Sequence, residues 1–205
     1  MFGSGLLPKS DHTGRPWRIH AICTDFRLLD VWALPTSGGA NDFPELVRLW
    51  ARFDPERSSV VLRGLFALRW TLGRLLGLDR PETGLGERVH TLRDRLPPDL
   101  REATATPFEA EPFIPLYLTD DEFALEIANQ TVHGVLHVGW VTDGRGGHRG
   151  QMAVLVKPNG VLGTAYLAAI APFRHAIVYP LMMREIGRAW REHARAPTQS
   201  DGGPQ

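Results

Sequence analysis

A chain of 205 residues with 43% apolar content is long enough for one domain with a real core, and its 23 basic residues balance 23 acidic ones. With no dense Lys/Arg run, no long-range field draws it to nucleic acid, which is excluded as a partner class. Cys23 is the sole cysteine, so an intramolecular disulfide and any multi-thiolate metal site are excluded too.

Residues 1–20 are a polar, Gly/Pro-containing lead with neither a basic start nor the apolar run of a secretory signal, so the expected location is the cytoplasm. Only Lys9 and Lys157 among the basic residues are lysines, a skew that fits a GC-rich bacterial genome. FRLLDVWALP (Phe26 to Pro35) reads as a first strand, with Phe26, Leu28 and Val31 apolar and Pro35 closing the run. After the TSGGAND loop, FPELVRLWARF forms a short helix with Pro44 in its first turn and a stripe of Leu46, Leu49, Trp50 and Phe53. A longer helix is expected from Ser58 or Ser59 to Leu76, with Gly77 as its stop. It holds the greasy stretch Val60 to Leu78, but Arg63, Arg69 and Arg74 interrupt it too often for a spanning segment, so no stable membrane insertion is expected. Residues 79–107, rich in charge, Gly and Pro, with a helical piece at Glu87 to Leu96, read as a surface excursion or lid.

From there the period changes to two. PFIPLYLT, DEFALEIAN, TVHGVLHVGWVT, RGQMAVLVK and VLGTAYLAAI follow one another with turn chemistry between them, predicting an antiparallel meander of about five strands. The chain then enters a long amphipathic helix, FRHAIVYPLMMREIGRAWREHAR, with Pro172 at its first turn and Pro180 as a kink; residues 196–205 are expected to be a disordered tail. One domain therefore spans residues 21–195. Strand, two helices, antiparallel meander and long C-terminal helix is the order of the α+β helix-grip fold. There a curved sheet of about six strands wraps the last helix and leaves an apolar cavity between them.

The passages "DFRLLDVWALP", "TVHGVLHVGWV", "GQMAVLVKPNG" and "LGTAYLAAIAPFRHAIVYPLMMREIGRAW" resemble the bacterial domain-of-unknown-function family numbered 2867, over most of residues 20–192. The most specific part is Gly163 to His175, where small residues lead into Pro-Phe and a basic residue. The resemblance implies a member of the START-like (SRPBCC, polyketide-cyclase-like) superfamily, whose members bind apolar or amphipathic small molecules and some of which cyclise or dehydrate polyketides. It carries over no catalytic residue and no cofactor.

The hairpin around Asn129-Gln130 supplies the first candidate site. With that pair as a two-residue turn, Ala128 pairs with Thr131, Glu126 stands opposite His133 and Glu122 opposite His137. A carboxylate beside an imidazole raises its basicity and fixes its tautomer. Glu126 and His133 are thus the candidate catalytic pair of a cofactor-free cyclase or dehydratase. The opposite face carries Phe123, Leu125, Ile127, Val132, Leu136, Val138 and Trp140, which should face the last helix and turn the Glu/His ladder to solvent or to a partner subunit, leaving a homodimer open. Two strand histidines four residues apart lie far along the strand, so no metal is assigned.

The second candidate is the cavity lining: Trp32, Trp140, Thr164 and Tyr166 on strands, with Phe173, Arg174, Ile177, Tyr179 and Leu181 on the closing helix. An arginine at a pocket mouth suits a carboxylate or phenolate, whereas on a solvated helix face Arg174 and His175 would do nothing specific. GxSxG, Ser/His/Asp order and a dinucleotide fingerprint are all missing. The expected function is the binding of an apolar or aromatic small molecule. The cyclase or dehydratase is the rival, and an interaction module using Val60 to Leu78 on a membrane or partner helix is a third possibility.

Overall fold

Alternating side chains and the turn residues between them build one antiparallel sheet. The computed structural model describes residues 5–51, 90–103, 113–128 and 131–195. Its strands are β1 (Leu6–Leu7), β2 (Arg27–Gly38), β3 (Ile114–Leu118), β4 (Glu122–Ala128), β5 (Val132–Thr142) and β6 (His148–Pro158). They lie in the order β1-β2-β6-β5-β4-β3, so the first long strand pairs with the last one and the rest is a meander. Together with a long C-terminal helix this is an open α+β sheet with a helix on one face.

One row across the sheet is Trp32, Met152, Val138 and Phe123; the next, pointing the other way, is Val31, Ala153, His137 and Ala124. The β4–β5 hairpin closes with Ala128 opposite His133, two residues away from the pairing expected of a two-residue turn. A shift of two leaves every side chain on its expected face, because the strand period is two. It moves Glu126 opposite Val135 and Glu122 opposite Gly139, so each carboxylate meets its histidine diagonally.

VLGTAYLAAI is not a fifth meander strand. Gly160, at φ 69°, reverses the chain after Pro158-Asn159 and starts helix α5 (Gly160–Phe173), which runs through a π-helical turn (Arg174–Val178) into α6 (Tyr179–Arg195). The segment is apolar on every side, so its pattern cannot separate strand from helix, and its Ala-rich length favours the helix. Pro172 therefore lies inside a helix rather than at its start, and with Pro180 it brackets the π turn. Each proline removes one backbone donor, and the wider turn between them absorbs the mismatch.

Helix α6 packs on β2, bringing Tyr179, Ile186 and Trp190 against Trp32, Leu34, Trp140 and Met152, while α3 (Phe43–Ala51) adds Phe43, Leu46 and Trp50. The Trp190 and Trp140 indoles anchor the far end by donating to the carbonyls of Ser37 and Gly39, each at 3.0 Å. Helix α5 is largely uncovered, with Val161 87% exposed and Leu162 60%. Among the described residues, the continuous helix Gly160–His193 is the one long and apolar enough to cross a membrane by length and composition. The expected helix from Ser58 or Ser59 to Leu76, with the stretch Val60 to Leu78, and the expected tail at 196–205 lie outside the described residues.

The opposite sheet face is covered as well. Helices α1 (Ser10–Thr13) and α2 (Ile19–Ile22), in the expected lead, bring His12, Trp17, Ile19 and Ile22 onto it, all buried. The described part of the expected surface excursion, residues 90–103, does the same through a 3-10 turn (Leu92–Arg95) and helix α4 (Pro98–Ala103), which bury Leu92, Leu96 and Leu100. Each such leucine contributes about 1.5–3 kcal/mol, enough to hold a short, charge-rich segment down. Arg95 ties it to Asp25 at 2.6 Å and Arg18 pairs with Asp99. A sheet apolar or satisfied on both faces explains near-continuous runs such as VLHVGWV.

Candidate functional site

Between sheet and helix, Asp30 sits on the same face as Trp32 and is 6% exposed. Its carboxylate receives three groups from one stretch of helix: Arg174 Nη2 at 3.0 Å and the Tyr179 hydroxyl at 3.1 Å on Oδ2, and His175 Nε2 at 2.9 Å on Oδ1. An ideal α-helix would spread consecutive residues 174 and 175 by about 100°. The π turn widens the helix where both must aim at one carboxylate, and π turns are frequent at functional sites. Trp32 packs on Tyr179 with ring centroids 4.6 Å apart. Burial raises the Tyr179 phenol above its ordinary value, against Arg174 and with Asp30, so it remains a hydrogen-bond donor. Two buried donors here, Trp32 Nε1 and Arg174 Nε, have no partner among the described residues.

The expected lining residues divide around this cluster. Trp32, Arg174 and Tyr179 gather at Asp30, and Trp140 lies on the same sheet face against Trp190. Leu181 is half-buried, whereas Phe173 and Ile177 are exposed at 38% and 37%. Thr164 and Tyr166 stand on α5 rather than on a strand, and the exposed Thr164 hydroxyl donates back to the Gly160 carbonyl. Arg174 is mostly buried, so it is not on a solvated face. Asp30 itself is the site residue that the sequence motifs miss, although its position two residues before Trp32 in an apolar strand places an unexplained carboxylate on the buried face.

On the other face the expected Glu/His pairs form, with His133 Nε2 2.6 Å from Glu126 Oε1 and His137 Nε2 2.7 Å from Glu122 Oε2. They face neither solvent nor the helix. All four residues are buried, because residues 5–23 and 90–103 close over them. Glu126 also accepts from Thr91 Oγ1 at 2.7 Å and Leu92 N at 2.9 Å, and Glu122 from Arg18 N at 2.8 Å. Burial raises the Glu126 carboxyl, but the bonds from His133, Thr91 and Leu92 outweigh it and leave the group below its ordinary value. The covering segment adds His12 and His20, which sequence spacing gave no reason to place here. No group of three or more metal-ligating side chains with metal geometry occurs among the described residues.

Trp17 lies over His137 at 5.2 Å because Gly139 leaves room. A Cβ there would stand 2.5 Å from Trp17 Cη2 and 2.8 Å from Cζ2. Gly139→Ala should therefore lift the N-terminal segment and cost about 1–3 kcal/mol, read as a lowered urea midpoint; an unchanged midpoint would show that Trp17 moves aside freely.

The family model described as Protein of unknown function (DUF2867) matches residues 22–181, more than half of the chain. The chain belongs to that family. No curated protein and no solved structure matches it. The DUF2867 region contains Asp30, Arg174, His175, Tyr179 and both Glu/His pairs, whereas His12 and His20 precede it.

Proposed function

We propose that this DUF2867 protein is a cytoplasmic, START-like helix-grip module that binds a small molecule with an apolar or aromatic body between the sheet and the C-terminal helix. The observation that carries this reading is the Asp30–Arg174–His175–Tyr179 cluster, set in an otherwise apolar interface and left with two unused buried donors, Trp32 Nε1 and Arg174 Nε. Buried donors without partners are costly, and a ligand oxygen that satisfies one converts that cost into affinity and orientation. The complementary ligand therefore carries an accepting oxygen, as in a carbonyl, carboxylate or phenolate, on its apolar body. Addition of hydrophobic aromatic acids should change tryptophan fluorescence saturably, and Arg174→Gln should weaken binding about tenfold or more, the worth of one charge-assisted hydrogen bond. Non-saturable changes across a varied panel would retire the proposal.

The 2.6 Å contact between Glu126 and His133 favours one second reading, a cofactor-free cyclase or dehydratase using that pair as acid and base. It requires residues 90–103 to lift, since Thr91 and Leu92 occupy the carboxylate. Turnover that survives His133→Gln would end it.

A further inference from the structure

Four side chains form a continuous file from the sheet to the edge of the N-terminal segment. His137 Nε2 meets Glu122 Oε2 at 2.7 Å, His12 Nε2 meets His137 Nδ1 at 3.1 Å, and His20 Nε2 meets His12 Nδ1 at 3.2 Å. Glu122, His137 and His12 are buried, and His20 is half-buried at the outer end. The file spans the joint between two parts of the chain: Glu122 and His137 stand on β4 and β5, His12 and His20 on α1 and α2. We propose that this file is an acid-released clasp that holds residues 5–22 over the Glu/His face of the sheet.

Proton counting leads to this conclusion. A neutral imidazole has one N–H and one bare nitrogen. With Glu122 as a carboxylate, His137 must present Nε2–H to it, which leaves His137 Nδ1 bare and requires Nε2–H on His12. By the same logic His20 must present Nε2–H to the bare Nδ1 of His12. One carboxylate thus sets the tautomers of three histidines. One further proton is tolerated, which makes His20, His12 or His137 the charged ring, with the tautomers of the rings beyond it toward His20 reversed; burial disfavours the charge on His12. A second is not, because each imidazole–imidazole gap admits one hydrogen and the added N–H would face another N–H at 3.1–3.2 Å. Once the segment lifts, His12 and His20 can each bind their full complement.

The surroundings sharpen this limit. Burial, then His137 and His20, pushes His12 from 6.5 down to about 3. Burial and His137 lower His20, against the pull of Glu122. The other groups facing the file are the Tyr117 phenol from β3, raised by burial and by Glu122, and the Trp17 ring. At the rim lie Arg15, Asp11 and Arg149, while Arg18 is engaged by Asp99. None of these supplies a carboxylate to His12. Histidines held below their unfolded value stabilise the closed state above pH 6.5 and lose that contribution progressively as pH falls below it.

The closed file holds two protons fewer than the open one in acid, so the open fraction should rise by up to about a hundredfold per pH unit below the ordinary histidine value. Cys23, at the end of α2 and buried, is a built-in reporter. Its labelling by an acid-tolerant aromatic disulfide, corrected for the reagent's rate with free cysteine, should steepen accordingly while the sheet's circular dichroism persists. In His20→Gln the slope should fall to about tenfold per unit, because only one excess proton remains to be gained. In nuclear magnetic resonance of the histidine rings, His12 should stay singly protonated in the closed state at a pH where free histidine is charged. The clasp is overturned if corrected labelling is flat with pH, if it rises only with loss of the sheet signal, if His20→Gln leaves the slope unchanged, or if His12 titrates like free histidine.

Discussion

Replacing Asp30 with alanine should lower the unfolding free energy by about 3–5 kcal/mol, the cost of breaking a buried ion pair from one side. The carboxylate is 6% exposed and serves three donors, so its removal leaves the Tyr179 hydroxyl and the Arg174 guanidinium in an apolar interface without an acceptor. His175, at 39% exposure, can turn to water and adds little. Against a typical total of roughly 5–15 kcal/mol, the loss would bring the urea midpoint down sharply. A second substitution separates the pair from its parts. Arg174→Met in the Asp30→Ala background should restore part of the loss, since an apolar replacement of a buried pair is often neutral. If the double variant is no more stable than Asp30→Ala, the penalty comes from the packing of β2 and not from an orphaned cation. The same double variant should fail to bind aromatic acids while it folds, because the unused Arg174 Nε would be gone.

Much of the sheet was legible in the sequence. Alternation along DEFALEIA and TVHGVLHVGW put Phe123, Leu125, Val138 and Trp140 on one face and the glutamates and histidines on the other, and a two-residue register error could not disturb that, because faces repeat every second residue. What alternation could not say is how each face is covered. A strand buried on one side and a strand buried on both differ in which distant segments dock. Trp17 is isolated in a stretch dominated by Arg, Asp, Gly and Pro, and Leu92 and Leu96, four apart, suggest only a local helical piece and not the sheet face on which it docks. Hence alternation alone points the ladder to solvent, whereas residues 5–23 and 90–103 cover it. The strand-to-helix passage failed for a different reason. Gly160 to Phe173 is apolar all round and rich in small residues, and Pro172 read as a helix start when it is an interior residue relieved by a π turn. Asp30 was readable in principle, since a carboxylate spaced two from Trp32 must share its face. His12 was not, because its partner lies 125 residues away.

Glu126→Ala should destabilise the fold by a similar amount, about 3–5 kcal/mol, and in a pH-dependent way. Glu126 is fully buried, and Ala would strand His133 Nε2, the Thr91 hydroxyl and the Leu92 amide, which detaches the 3-10 turn from the sheet. Glu126→Gln is milder, about 1–2 kcal/mol, because the amide oxygen still accepts from Leu92 and the Thr91 hydroxyl can rotate to accept from the amide nitrogen. The pH dependence follows from the carboxyl's lowered position. Burial raises it, the bonds from His133, Thr91 and Leu92 lower it by more, and the net is a folded value below 4.5. A depressed carboxyl stabilises fully above its unfolded value and loses that contribution as pH falls through the folded one. Wild type and Glu126→Gln should therefore differ most at neutral pH and converge as the solution is taken below 4.5, measured as urea midpoints along a pH series. A difference that stays constant through that window would mean the carboxyl is no more acidic folded than unfolded. The three donors would then hold it no better than water does, and the buried ladder would owe its place to packing alone.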